Sequence, residues 1–208
     1  MQILTSFLLI IANVIFSYRG FKDRYFFDKY KFNPNAIKKG ENIRYVSSGF
    51  LHVNQGHLFV NMFTLFFFAP VVIRLLGDIS FILIYLVSLY VGNLITYRLN
   101  KHRINYNAVG ASGAVMGVVY SSILLYPDMT LYFIIIPMPA YVFGLLYLWY
   151  SIYSMKNVRD NIGHEAHLGG AIAGFFLTIL LKPDILANSF FTVLILMIPI
   201  IYFYLKNR

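Results

Sequence analysis

Ala166-His167-Leu168-Gly169-Gly170-Ala171-Ile172-Ala173-Gly174-Phe175-Phe176-Leu177-Thr178-Ile179-Leu180-Leu181 runs without one charged side chain. A helical crossing of a bilayer core about 30 Å thick takes about 20 mostly apolar residues. Reading outward between charged residues gives six further runs of this kind: 1–18, 45–73, 79–97, 104–127, 129–155 and 185–205. Their interiors are rich in Leu, Ile, Phe, Val and Tyr, without the strict alternation of a membrane barrel strand. In lipid only helices then satisfy the backbone. The expectation is an all-α polytopic membrane helix bundle of seven helices, forming a single integral membrane domain over residues 1–208.

Composition points the same way. Of 208 residues, 59% are hydrophobic and only 12% are charged, against roughly 45–50% and about 25% in soluble domains. That argues against a soluble protein, a disordered one and a nucleic-acid binder, despite a net charge of +9. The chain has no Cys, which excludes a disulfide framework, a thiolate zinc site and a Cys nucleophile. Residues 1–18 lack a basic start and a small-x-small site before Tyr18-Arg19-Gly20, so they read as a retained first span. The long polar segment 19–44 holds eight of the seventeen basic residues, with Phe21, Tyr25, Phe26, Phe27 and Tyr30 among them. A basic, aromatic-rich segment beside a span belongs on the headgroup surface.

Strongly polar residues inside such spans are costly, so each is a functional candidate. Gly110-Ala111-Ser112-Gly113 opens an apolar run from Ala114 to Tyr126. Ser112 then sits in a first helical turn, where free N–H groups and the dipole favour a developing negative charge. Gly110, Gly113 and Gly117 equally describe a small-residue packing face. His167 opens another apolar helix, and Gly170 with Gly174 form a small-xxx-small pair that lets this helix approach a neighbour closely. If that neighbour carries Ser112, the imidazole can take the hydroxyl proton and make a nucleophile.

His57 and Asn61 are four apart and share one helix face. Donors there suit an oxyanion hole, or a plain helix–helix hydrogen bond. His164 and Glu165 are expected to face water near Arg159 and Asp160. His-Glu-Ala-His lacks the zincin spacing, so no metal is expected. The eight acidic residues all lie in loops or at span ends, leaving a Ser–His dyad. Pro70 is expected to kink or break its helix.

These motifs together resemble the rhomboid intramembrane serine proteases, over roughly Glu41 to Leu181. Gly110-Ala111-Ser112-Gly113 matches the family's nucleophile motif. Ala166-His167-Leu168-Gly169-Gly170 with Gly174 matches its histidine motif, and His52, His57 and Asn61 match its second-helix pattern. Arg44 looks like the arginine of its Trp-Arg pair. The resemblance implies a six-helix core over about 1–182 plus an extra C-terminal span over about 185–205. It implies Ser112 as nucleophile and His167 as base, with His57, Asn61 and the Ser112 N–H on the oxyanion. It also implies transmembrane protein substrates in the lipid bilayer, and no metal or cofactor. The implied setting is a multi-pass bacterial inner membrane protein with its active site on the extracytoplasmic side.

That arrangement leaves fifteen basic residues outside against Arg74 and Lys182 inside, opposite to the positive-inside rule. Ile43 stands in place of the usual Trp. Met116 stands where the family often has a Tyr or Phe packed on the catalytic imidazole. The alternative function is a non-catalytic rhomboid-like protein that binds membrane helices; a transporter or channel would want charged residues at mid-span.

Overall fold

The computed structural model describes residues 4–103, 105–133, 135–157 and 163–206; Arg159 and Asp160 lie outside them. The chain runs through α1 (Leu4–Lys22), α2 (Arg24–Tyr30), α3 (Pro34–Lys38) and α4 (Arg44–Ser47), which continues into a 3-10 turn at Ser48–Phe50. Then come α5 (Gln55–Leu76), α6 (Asp78–Asn100), α7 (Ser112–Leu125) and a hairpin of β1 (Thr130–Phe133) and β2 (Ile136–Pro139). It ends with α8 (Ala140–Asn157), α9 (His164–Leu181), α10 (Ile185–Asn188) and α11 (Phe190–Lys206). The protein is an all-α membrane helix bundle. Among the described residues α1, α5, α6 and α9 are long and apolar enough to cross a membrane, while α7 and α11 are shorter apolar helices.

Burial explains the arrangement. Every residue of α7 from Gly113 to Leu124 is buried, as expected of a helix that is apolar all round. Around it the outer helices expose large apolar side chains such as Phe59 and Phe63 on α5, Leu180 on α9 and Phe191 on α11. Patches of that extent suit lipid rather than water. Helices α6, α7 and α9 meet almost backbone to backbone. A Cβ on Gly170 would strike the Gly113 carbonyl, one on Gly174 the Gly117 carbonyl, and one on Gly92 would lie 2.6 Å from the Ala166 oxygen.

Four expectations about the elements change. The run 45–73 does not start as a span: residues 44–50 form short helical turns and α5 begins at Gln55. There Asn54 caps it, its side chain accepting from the His57 N–H at 2.8 Å. The run 129–155 opens as an antiparallel hairpin pairing Thr130 with Pro139 through Phe133 with Ile136. Pro137 and Pro139 lack the N–H that a helix interior needs and are tolerated in a two-stranded ribbon. Of the kink or break expected at Pro70, the break does not occur, since α5 continues to Leu76. The C-terminal run divides at Ser189 into α10 and α11.

The segment 19–44 is ordered by local chemistry. Asp23 caps α2 by accepting from Phe26 N–H, and Asn33 caps α3 by accepting from Ala36 N–H. Phe32, Ile37 and Tyr45 make a small second core, packed by Leu94, Tyr97 and Tyr106. Arg44 is buried. Its Nη1 donates to the Asp28 and Lys31 carbonyls at 2.9 and 2.7 Å, while Nε and Nη2 hold Glu41. Ile43 is exposed and takes no part in that anchorage.

Candidate active site

Ser112 is the first residue of α7, and the residue before it, Ala111, offers no side chain to the free N–H groups of the first turn. Those donors are therefore available at the helix start, where the dipole is positive. The approach to Ser112 is held from three sides. The Gly110 N–H donates to the Ser48 carbonyl at 3.0 Å, and Phe32 and Ala108 exchange backbone hydrogen bonds at 2.9 and 3.2 Å. Asn93 on α6 donates to the Tyr45 carbonyl and to Ser48 Oγ. The first loop thus clamps the strand-like lead into α7.

His52 supplies a further brace. It is fully buried, its Nδ1 lies 2.8 Å from Ser17 Oγ, and the Ala111 N–H points at its Nε2 from 3.4 Å. Because Ser17 also donates to the Phe50 carbonyl, the consistent tautomer has Nδ1–H donating to Ser17. Burial, and secondarily the neighbouring His57, push the His52 imidazole down to a pKa of about 3. His52 is therefore a neutral structural acceptor at physiological pH.

His57 and Asn61 lie one turn apart on α5. The His57 ring covers the face of Gly110 that a Cβ would occupy, 2.7 Å from Cε1 and 3.0 Å from Nε2, and Ser112 Oγ is 3.7 Å from the same point. Gly110 has φ 138, so both its conformation and its neighbour require glycine. The His57 Nδ1 is buried without a hydrogen-bond partner. Asn61 is buried and spends one of its two amide hydrogens on the His57 carbonyl, at 3.0 Å. One Asn61 amide hydrogen and one His57 ring nitrogen are thus left without a partner among the described residues.

His167 occupies the first turn of α9 and is nearly buried. The residue before it, Ala166, places its carbonyl 3.2 Å from the Cβ position of Gly113, the residue after Ser112. The two helix starts are therefore in direct backbone contact. Ser112, His167, His57, Asn61, Gly110 and Met116 all line one cavity of about 1460 Å³. Arg24, Lys31, Arg103 and Glu165 also border it, as do the apolar Phe68 and Phe143.

Two features were not legible beforehand. His164 does not face water; it is buried, with its ring edge-on to Tyr150 at 5.4 Å and to His167 at 6.1 Å. Three residues before His167 on a helix, it shares the inward face. The ring stacked on His167 comes from Tyr147 on α8, and its hydroxyl is 2.7 Å from His167 Nδ1. Met116 borders the cavity from α7. Glu165 is met by the Asn100 amide at 3.4 Å. No group of three His, Cys, Asp or Glu able to hold a metal occurs among the described residues.

A Rhomboid domain profile matches residues 39–184. The Bacillus subtilis protein named "Putative rhomboid protease YdcA" is 32% identical, over 70% of this chain and 70% of its own length. RHOMBOID-like protein 12, mitochondrial, of Arabidopsis thaliana is 28% identical over 78% of this chain. The human presenilin-associated rhomboid-like protein, mitochondrial, is 30% identical over 62%. The chain spans about half (54%) of the Arabidopsis relative's length and about a third (35%) of the human one's. Over the span that holds the Ser112 and His167 helices, this membrane bundle belongs to the rhomboid family.

Proposed function

We propose that this protein is an intramembrane serine endopeptidase that cuts transmembrane segments of other membrane proteins. The observation that carries the reading is the meeting of two helix starts, with Ser112 and His167 bordering one cavity and Gly113 packed on the Ala166 carbonyl. In this reading His167 takes the Ser112 proton as Oγ attacks the scissile carbonyl. The tetrahedral oxygen is held by His57, Asn61 and the Ser112 N–H. His167 then gives the proton to the leaving amine, and water hydrolyses the acyl-enzyme by the same steps. The charged border of the cavity gives that water a path. Gly113, Gly170 and Gly174 serve by letting α7 and α9 touch; Gly110 gives His57 room, and Arg44 fixes the first loop. The setting we assign is a bacterial cell membrane, a choice supported by the two-way coverage of the Bacillus relative; the extracytoplasmic side for the cavity rests on the family resemblance alone.

The test is labelling of the purified protein by a serine-directed fluorophosphonate. Ser112→Ala is expected to abolish labelling, and His167→Ala to reduce it about as far, because dyad members act as a unit. Full turnover in the histidine variant refutes the dyad. A wild-type protein that captures transmembrane peptides yet neither cuts them nor reacts with the probe is instead a binder of membrane helices.

A further inference from the structure

We infer that Tyr147 is a positioning residue for His167, an aromatic hydroxyl on α8 standing where a serine hydrolase triad has its carboxylate. The inference rests on the hydrolase reading and deepens it. Three observations carry it. The Tyr147 hydroxyl is 2.7 Å from His167 Nδ1. The two rings are stacked, 26° apart in plane with centroids separated by 6.2 Å. Tyr147 in turn stacks on Phe143, one turn earlier on α8, at 5.9 Å and 24°.

The chemistry follows from which nitrogen carries the hydrogen. A general base must present an unprotonated nitrogen to the serine hydroxyl. With Nδ1 engaged by Tyr147, that nitrogen is Nε2, and the productive tautomer has Nδ1–H donating to the phenol oxygen. The reverse bond, phenol O–H donating to Nδ1, would put the hydrogen on Nε2 and leave His167 unable to accept the Ser112 proton. A neutral phenol orients the ring, and it holds the productive tautomer only while its own hydrogen points away from Nδ1; it does not supply the negative charge that a carboxylate gives to an imidazolium. The same pair links the rotation of α8 to the site, because turning α8 about its axis carries the hydroxyl out of reach. Tyr147 also answers the departure at Met116, since its stack supplies the aromatic cover from another helix.

The experiment pairs kinetics with a direct view of the tautomer in the full-length protein in detergent micelles. Fluorophosphonate labelling rates are compared for wild type, Tyr147→Phe and Ser112→Ala. Long-range ¹H–¹⁵N correlations of ¹⁵N-histidine protein are recorded above pH 8, with His167→Ala assigning the signal. Tyr147→Phe keeps the stack and loses the oxygen; its labelling is expected to fall about 10- to 100-fold at unchanged melting temperature. In wild type His167 is expected as the Nδ1–H tautomer, and in Tyr147→Phe this preference is lost. Labelling of Tyr147→Phe at the wild-type rate, or an Nε2–H tautomer in wild type, overturns the positioning role. The wild-type spectrum decides even if the variant does not fold. Failure of wild type to label with Nδ1–H in place counts instead against the hydrolase reading.

Discussion

Replacing Gly110 by Ala isolates what the ring of His57 contributes. The new methyl would lie 2.7 Å from His57 Cε1, where ordinary contact begins near 3.4 Å. The imidazole must therefore retreat by about 0.7 Å, or the lead into α7 must. A misplacement of about 1 Å at a reacting centre costs about 10²-fold, similar to losing one oxyanion donor. The substitution also places a side chain at φ 138, a strain of about 1–3 kcal/mol. Gly40→Ala and Gly77→Ala separate the two effects. They sit at φ 98 and 86 with nothing within 4 Å of the added carbon, so they carry strain alone.

The expected result is a melting shift in Gly110→Ala at least as large as in the controls, at about 2–4 °C per kcal/mol. Fluorophosphonate labelling should fall about 100-fold in Gly110→Ala and remain near wild type in both controls. If the loss passes through His57, adding Gly110→Ala to His57→Ala should cost little more, because the pair is coupled. Wild-type labelling of Gly110→Ala, or full additivity with His57→Ala, refutes the placement of His57 at the reacting oxygen.

Arg44→Ala should lower stability by about 2–4 kcal/mol, since it strips the donor from two partly buried carbonyls, Asp28 and Lys31. The ion pair to half-exposed Glu41 adds little to that; a thermal midpoint unchanged within error would contradict it. His52 sets an acid limit. Its folded pKa of about 3 lies below the ordinary 6.5, so below pH 6.5 the unfolded chain binds a proton that the folded one refuses. Stability should fall by up to about 1.4 kcal/mol per pH unit from about 6.5 down to about 3. Denaturant midpoints measured from pH 7 to 4 check this, and the same slope in His52→Gln would show that the titrating group lies elsewhere.

Charge-free run lengths were enough to define a membrane helix bundle, because the cost of a charge or an unpaired backbone group in lipid is paid locally and leaves its mark in every segment. Spacing likewise put His57 and Asn61 on one face, and Gly170 and Gly174 on another, because helical period is a property of the chain alone. The hairpin at 130–139 was hidden inside a run of apolar residues, and its signal was Pro137 and Pro139 rather than hydropathy.

What lay beyond the sequence depends on how far each helix is rotated and how deep it sits against its neighbours. That decided that His164 turns inward, that His52 reaches from the first loop to Ser17 and Ala111, and that Tyr147, twenty residues before His167, covers and hydrogen-bonds its ring. It also decided that the helix starts at Ser112 and His167 share one cavity. Contacts between helices arise from packing of whole surfaces, here a glycine seam through α6, α7 and α9, and no local spacing encodes the rotation that such a seam selects.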